Sequence, residues 1–480
     1  MKASVLFSAA LLLVGSQACT PAKAKPTTGE PAKDTCVGCH ADRDPGIIGQ
    51  WRASKHSEND VGCIDCHGAD AADVDAFEHE GSTIAIIVTP KDCAQCHEKE
   101  VEEQKGSHHA KAGQILGSLD NLLGEVVGGP AAVNAGCRQC HGSKVELDEN
   151  KRPTPETWPN TGMGRINPDG SAGSCSACHT RHEFSVAQAR QPEACGKCHL
   201  GPDHPQIEVW NESKHGILYH ANREKMNLES DEWRAGVEYF TGPTCASCHM
   251  SATADVPVTH DVGERISWTL RPPVSVKLNM VIYEDNSKED INGDNPEMPK
   301  VGSMFIGKSG KAKKVKAVLP WKARRDLMWK VCGSCHDQNF VDGAYRQFDD
   351  VVELYNNKFA IPAKTIIAEL KERGKLTKAN FDEEIEWTWW ELWHHEGRRA
   401  RHGASMQGPD YTWWHGLYEV AKHFYTDFIP QLEEVAGKKL ADELLDKYVY
   451  SQPGHQWHRD GMSKDQLENV RKFYEKRYQQ

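Results

Sequence analysis

The rhythm of hydrophobic and polar positions changes four times along this chain. A positive charge at Lys2 precedes an apolar run from Val5 to Gly15, too short to span a bilayer as a permanent helix. From about residue 35 to residue 250 no period holds. Gly, Pro and Asp interrupt the apolar positions every few residues, which reads as short helices and irregular loops. Between about 251 and 320 the pattern becomes extended. Val256-Pro257-Val258, Ile266 to Leu270 and Val274 to Ile282 read as strands, Asn286 to Pro299 as a polar loop, and Lys308 to Lys316 as a solvated basic run. Beyond that, Phe348 to Arg373, Lys378 to Arg401, Tyr411 to Val435 and Leu440 to Tyr450 show helical periodicity. Ser463 is the expected N-cap of a last helix ending at Tyr478, and Pro430 is expected to kink or end its segment. The pattern divides the chain into a leader at 1–18, a polar tether at 19–34, an irregular region at 35–345 and a helical bundle at 346–480.

Composition makes the irregular region a puzzle. The chain has 480 residues, enough for more than one core, yet only 38% are hydrophobic and the mean hydropathy is -0.65. Such values suit disorder, but 14 tryptophans do not. Something other than aliphatic side chains must fill the interior.

The cysteines identify it. Sixteen of the 17 fall into eight Cys-x-x-Cys-His motifs. In order these are Cys36-Cys39-His40, Cys63-Cys66-His67, Cys93-Cys96-His97 and Cys137-Cys140-His141. They continue with Cys175-Cys178-His179, Cys195-Cys198-His199, Cys245-Cys248-His249 and Cys332-Cys335-His336. The pattern marks covalent c-type haem attachment, with two thioether cysteines and a proximal histidine on the iron. Zinc sites and disulfide frameworks have no reason to demand a histidine after every second cysteine. Eight flat apolar cofactors would replace the missing core, so the polypeptide without haem is expected not to fold. The expected fold is mainly α, a multihaem cytochrome c with a haem-packed N-terminal region and a C-terminal helical bundle.

Sixteen further histidines are candidate second axial ligands. Trp51-x-x-Ser-Lys-His56 and Trp210-x-x-Ser-Lys-His215 share one shape, which suggests one structural job done twice. His56, His182, His215, His220 and His260 are the expected ligands, with one member of each adjacent pair, His108 and His395. His79, His423, His455 and His458 read as surface or bundle residues. Counting alone allows eight six-coordinate irons, so it does not establish an open one.

Ser16-Gln17-Ala18 suits signal cleavage and would leave Cys19 first, a position for a lipid anchor. Covalent haem and the leader place the mature protein outside the cytoplasmic membrane, in the periplasm. The net charge of -12 argues against nucleic acid and towards a basic or dipolar electron-transfer partner.

Longer runs carry a resemblance. They are Ala135 to Gly142, Cys175 to Ser185, Cys195 to Gln206, Thr259 to Gly263, Trp393 to Arg401 and Pro409 to Gly416. Together with the motif order they resemble the octahaem hydroxylamine oxidoreductase family. That resemblance implies a largely helical homotrimer with seven bis-histidine haems and one open catalytic haem, held by Cys137, Cys140 and His141. It matches the family's distal pair to Asp203 and His204, and its crosslinking tyrosine, which reaches the haem of a neighbouring subunit, to Tyr411. Members with that crosslink oxidise hydroxylamine; relatives without it tend to reduce nitrite or hydroxylamine. The absence of a Cys-x-x-Cys-Lys motif disfavours reductases with a lysine-ligated haem.

The expected function is therefore oxidation of hydroxylamine, to nitric oxide or nitrite, or of hydrazine. Electrons would leave to a redox partner, a cytochrome or a quinone-linked protein. In chemical terms His204 would take protons released on oxidation, with Asp203 orienting it or accepting protons. The plainer readings are His204 as a distal haem ligand and Tyr411 as a bundle residue packed among Trp413 and Trp414. Two alternatives stand beside this: a nitrite or hydroxylamine reductase forming ammonia, and a non-enzymatic electron wire.

Overall fold

The structure is a computed structural model, and it describes residues 35–115, 123–293 and 298–479. The leader and the whole tether, Cys19 included, lie outside the described residues, as does part of the polar loop at 286–299. No helix among the described residues is long and apolar enough to cross a membrane.

The irregular region consists of short helices strung between turns, as its broken pattern predicts. A small hairpin, β1 (Phe77–His79) with β2 (Ser82–Ile84), interrupts the first motifs, pairing Phe77 with Ile84 and His79 with Ser82. Glu80 and Gly81 make its turn with positive φ, which glycine adopts without strain.

A five-stranded antiparallel sheet follows. It contains β3 (Trp268–Thr269), β4 (Val276–Tyr283), β5 (Lys288–Asn292), β6 (Met304–Ile306) and β7 (Ala312–Leu319), in the order β3-β4-β7-β6 with β5 also paired to β4. Two expectations are corrected here. The loop expected at Asn286 to Pro299 contains β5, because Asp290 and Ile291 pair with Met280 and Asn279 of β4. The basic run is solvated as expected, with Lys308, Lys311, Lys314 and Lys316 exposed, and its second half forms β7, which buries Val315. Val256-Pro257-Val258 forms no strand; its backbone instead receives Arg265, whose guanidinium donates to the Pro257 and Cys248 carbonyls.

The C-terminal bundle builds its own core. Tyr355, Ile366, Leu370, Ile385, Leu392, Val420, Phe424, Phe428, Leu432 and Leu444 form one buried cluster. Helix 338–355 starts ten residues before the expected position, capped by Asp337, whose carboxylate accepts from the Asn339 and Phe340 N–H groups. Pro430 does not break its segment. The turn before it, Phe424–Phe428, is wound as a π-turn, and the proline takes the first turn of helix Ile429–Ala436, where a missing N–H costs least. Removing the Phe428 ring, fully buried and stacked 5.5 Å from Phe424, is expected to cost about 3–5 kcal/mol of bundle stability. Denaturant unfolding of Phe428→Ala, followed by far-ultraviolet circular dichroism, measures that loss.

Candidate active site and haem-binding cavity

Each motif sits on or beside a helical turn, and the spacing i, i+3, i+4 puts both cysteines and the histidine on one face. Local sequence sets these turns. Thr89 caps Pro90–Cys93 in a box with Asp92, and Thr244 caps Cys245–His249 in a box with Ser247. Around His141 glycines allow close backbone approach: a Cβ on Gly162 would fall 2.0 Å from the Gly142 nitrogen. Met163 and Gly164 N–H groups close on the Cys140 and His141 carbonyls at 3.0 Å.

Faces of the second to eighth motifs line one cavity of about 2390 Å³, from Cys66 to Cys335; the first motif does not reach it. That volume exceeds any ordinary single-ligand pocket. Cysteines of different motifs meet along it: Cys93 with Cys175, Cys140 with Cys198 and Cys195 with Cys245. Electrostatic neighbours extend the series through Cys66 to Cys96, Cys178 to Cys195 and Cys248 to Cys332. The second, third, fifth, sixth, seventh and eighth motifs thus form a file, with the fourth branching off the sixth.

Histidine ring separations carry the sharper information. Iron–imidazole bonds of about 2.0 Å put two rings trans across one metal with centroids about 6.2 Å apart. His40 and His79 stand 6.2 Å apart, His97 and His56 6.3 Å, His67 and His182 6.4 Å, and His336 and His215 6.1 Å, while His199 has both His109 at 6.0 Å and His204 at 6.1 Å. Several proximal rings use Nδ1 locally, which leaves Nε2 towards the cofactor face. His40 Nδ1 bonds Asp44 at 2.7 Å, His67 Nδ1 the Ala85 carbonyl at 2.9 Å, and His141 Nδ1 the Ala112 carbonyl at 3.3 Å. Cavity, cysteine faces and ring spacing all fit covalently bound haem.

The shared Trp-x-x-Ser-Lys-His shape does the same work twice. Ser54 and Ser213 are N-caps whose hydroxyls accept from Ser57 and Gly216 N–H groups and donate to the Trp51 and Trp210 carbonyls. Each cap starts a short helix whose second residue, His56 or His215, faces a proximal ring.

Four histidines do not sit as expected. His79 stands opposite His40 rather than serving as a surface residue; the β1–β2 hairpin carries it there, and no local sequence signal announces it. Of the adjacent pair, His109 faces His199, while His108 Nε2 is held by the Asp290 carboxylate at 2.7 Å. His220 Nε2 bonds Asn211 Oδ1 at 2.9 Å and faces no proximal ring. His395 lies edge-on to Trp390 and beside Asp203, and burial with His394 next to it pushes its imidazole down to about 4. His260 is an electrostatic neighbour of His179, and its backbone N–H is held by Glu103 at 2.8 Å.

His141 has a different surrounding. Its electrostatic neighbours include His204 and Asp203, and all three line the cavity. The loop holding that pair follows directly from the sixth motif. His204 Nε2 lies 3.6 Å from Asp203 Oδ2, and its Nδ1 is buried with no hydrogen-bond partner among the described residues. Arg398, buried and stacked 5.0 Å over Trp393, donates to the Arg271 carbonyl at 2.8 Å and reaches Asp203 Oδ2 at 3.4 Å. A carboxylate, an imidazole and a fixed guanidinium therefore meet beside the fourth motif. Tyr411 is not among them. It is half-buried on the bundle, its N–H held by Glu212 at 3.3 Å and its ring 5.7 Å from His415.

Three family models match: "Seven times multi-haem cytochrome CxxCH" at 170–292, "Cytochrome c3" at 87–200, and "Cytochrome c554 and c-prime" at 13–68. With its attachment motifs, the chain is a multihaem cytochrome c. This cytochrome is 28% identical over 255 residues to a "Probable nitrite reductase-hydroxylamine oxidoreductase fusion protein" of Kuenenia stuttgartiensis. The match takes in 45% of this chain and only 25% of that relative. A solved "Hypothetical multiheme protein" aligns over 86% of this cytochrome and 96% of its own chain, with a TM-score of 0.67 and 26% identity. A chain of the "reducing HAO-like protein complex" of Kuenenia stuttgartiensis shares the fold at 19% identity, with a TM-score of 0.57 over 86% of this chain and 87% of that one. The cytochrome is thus a redox protein with covalently bound haem iron.

Proposed function

We propose that this cytochrome is an exported octahaem enzyme that oxidises hydroxylamine, to nitric oxide or nitrite, or hydrazine. The site is the fourth motif, Cys137, Cys140 and His141. The observation carrying this reading is the group beside His141: Asp203 and His204 next to it, Arg398 tied to Asp203, and a buried His204 Nδ1 with no hydrogen-bond partner among the described residues. The bound haem supplies an iron position for the substrate nitrogen and a path for its electrons. His204 takes protons as the substrate gives up electrons. Asp203 orients that imidazole, and Arg398 holds the carboxylate in place. Ring pairs such as His40 with His79 and His336 with His215 would hold other haems, which would carry electrons to a redox partner. Export follows from the leader, and Cys19 is the proposed lipid site.

The resemblance also motivates a homotrimer. Tyr411 lies off its own cavity, so a haem crosslink would form with a neighbouring copy. A second reading, reduction of nitrite or hydroxylamine to ammonia, is favoured by the relatives' names, which include a nitrite reductase and a reducing complex. Tyr411→Phe separates the two. Under the oxidative reading it removes an unusual reduced absorption band and lowers hydroxylamine oxidation at least tenfold, sparing reduction. Unchanged oxidation would leave the reductive reading in place.

A further inference from the structure

The file of motifs has two ends, and their surfaces differ. Residues 35–100, which carry the first three motifs, hold 13 acidic and 5 basic residues, a net -8 of the chain's -12. These charges surround one patch because the fold gathers them. The hairpin brings His79 to His40, and so brings Glu78 and Glu80 towards the first helix, Thr35–Arg43, with its Asp42. A bridge from Gly68 to Ile84 and the Ala69 to Thr83 hydrogen bond lay the loop carrying Asp70 against β2.

Asp42, Asp65, Asp70, Glu78 and Glu80 are exposed, and none of them is in an ion pair among the described residues. Arg43 is the nearest basic residue on the helix. Lys91 is occupied by Asp73 at 2.9 Å, and Arg152 stacks on Phe77. On the same stretch of chain three aliphatic side chains are bare: Ile64 at 44%, Val74 at 52% and Ile86 at 39% exposure. Cys39 of the first motif is also exposed, so the haem it would hold would lie beside this surface. The other end is different. Cys335 is exposed as well, but its neighbours along the chain, Lys330, Asp337 and Asp342, mix the two signs.

We propose that the face over the first two motifs is the electron-exchange docking surface, and that its partner is a small basic one-electron redox protein. The bare aliphatic side chains supply contact area, and the acidic ones supply steering and orientation. An electron-transfer encounter of this kind buries little area and depends on field rather than on a large apolar interface. The inference rests on the chain being a multihaem cytochrome, not on its substrate or direction.

The test uses the full holoprotein and a small basic monohaem cytochrome c as probe. Binding is followed by calorimetry, and the association rate by stopped flow. Because screening shortens from about 30 Å at 0.01 M salt to about 10 Å at 0.1 M, the association rate is expected to fall roughly tenfold or more across that range. Reversing Asp42→Lys, Glu78→Lys and Glu80→Lys together is expected to weaken binding at least tenfold. Reversing Glu433→Lys, Glu434→Lys and Asp442→Lys on the bundle changes net charge equally and is expected to alter binding by less than about threefold. Haem content and turnover with a small neutral electron mediator, both retained, show that the first triple is folded. Equal weakening by both triples would mean that net charge alone acts; no weakening by the first would place the exit elsewhere. Either result overturns the proposal, and mediator turnover reports on the catalytic reading separately.

Discussion

His204→Ala is expected to keep the full haem complement of this cytochrome and to lose about 10²–10⁴-fold in hydroxylamine turnover. The loss should be that large because His204 is the imidazole beside His141, and its buried Nδ1 has no hydrogen-bond partner among the described residues. Substrate oxidation cannot proceed faster than protons leave. The Asp203 carboxylate alone sits behind the ring, tied to Arg398 at 3.4 Å, and it cannot replace the lost base at the reacting atom. Asp203→Asn, which keeps shape and removes charge, should fall between the variant and the parent. Haem spectra and steady-state rates on the same preparations measure both effects. Carbon monoxide gives the check. If His204 were instead an axial ligand, its removal would add one carbon monoxide per chain; under the proposed role the number stays the same.

His215→Gly is expected to open one more iron, so that carbon monoxide uptake by the reduced protein rises by one per chain. His220→Gly should leave uptake unchanged. The two histidines are five residues apart on one short helix, and both read equally well as ligands in the sequence. The fold separates them: His215 points its ring at His336 from 6.1 Å, and His220 turns outward to Asn211. Exchanging one strong axial nitrogen for an open position also shifts that iron from low to high spin, visible by electron paramagnetic resonance. An unchanged count in His215→Gly would sink the assignment of that pair.

These two residues show where sequence reading stops. The attachment turns were legible because they are local: cysteine, cysteine and histidine share one helical face, and threonine, aspartate or serine caps start the turn. The bundle was legible for the same reason, since its apolar period is the period of a helix, and Ser463 forms the expected capping box with Gln466. Strand β5 was missed because its residues are polar, and only pairing with β4 makes them a strand. Pro430 misled because a π-turn before it absorbs the lost hydrogen bond.

The candidate site divides in the same way. Asp203 and His204 were nameable from the resemblance, and the Trp-x-x-Ser-Lys-His pair from its repetition. His79 and His109 were not. A second axial ligand must approach from the face opposite the attachment turn, so it comes from a different segment at a distance in sequence that no short-range pattern encodes. The eight attachment motifs, the mainly helical class and the need for a cofactor core were determined by the sequence alone, because covalent attachment and helix period are properties of neighbouring residues. Only the tertiary structure decided which histidines face each other, that Arg398 backs Asp203, that Tyr411 stays off its own cavity, and that one end of the motif file is acidic. Each of those depends on long-range chain return, where burial of shared apolar surface, not local preference, sets which side chains meet.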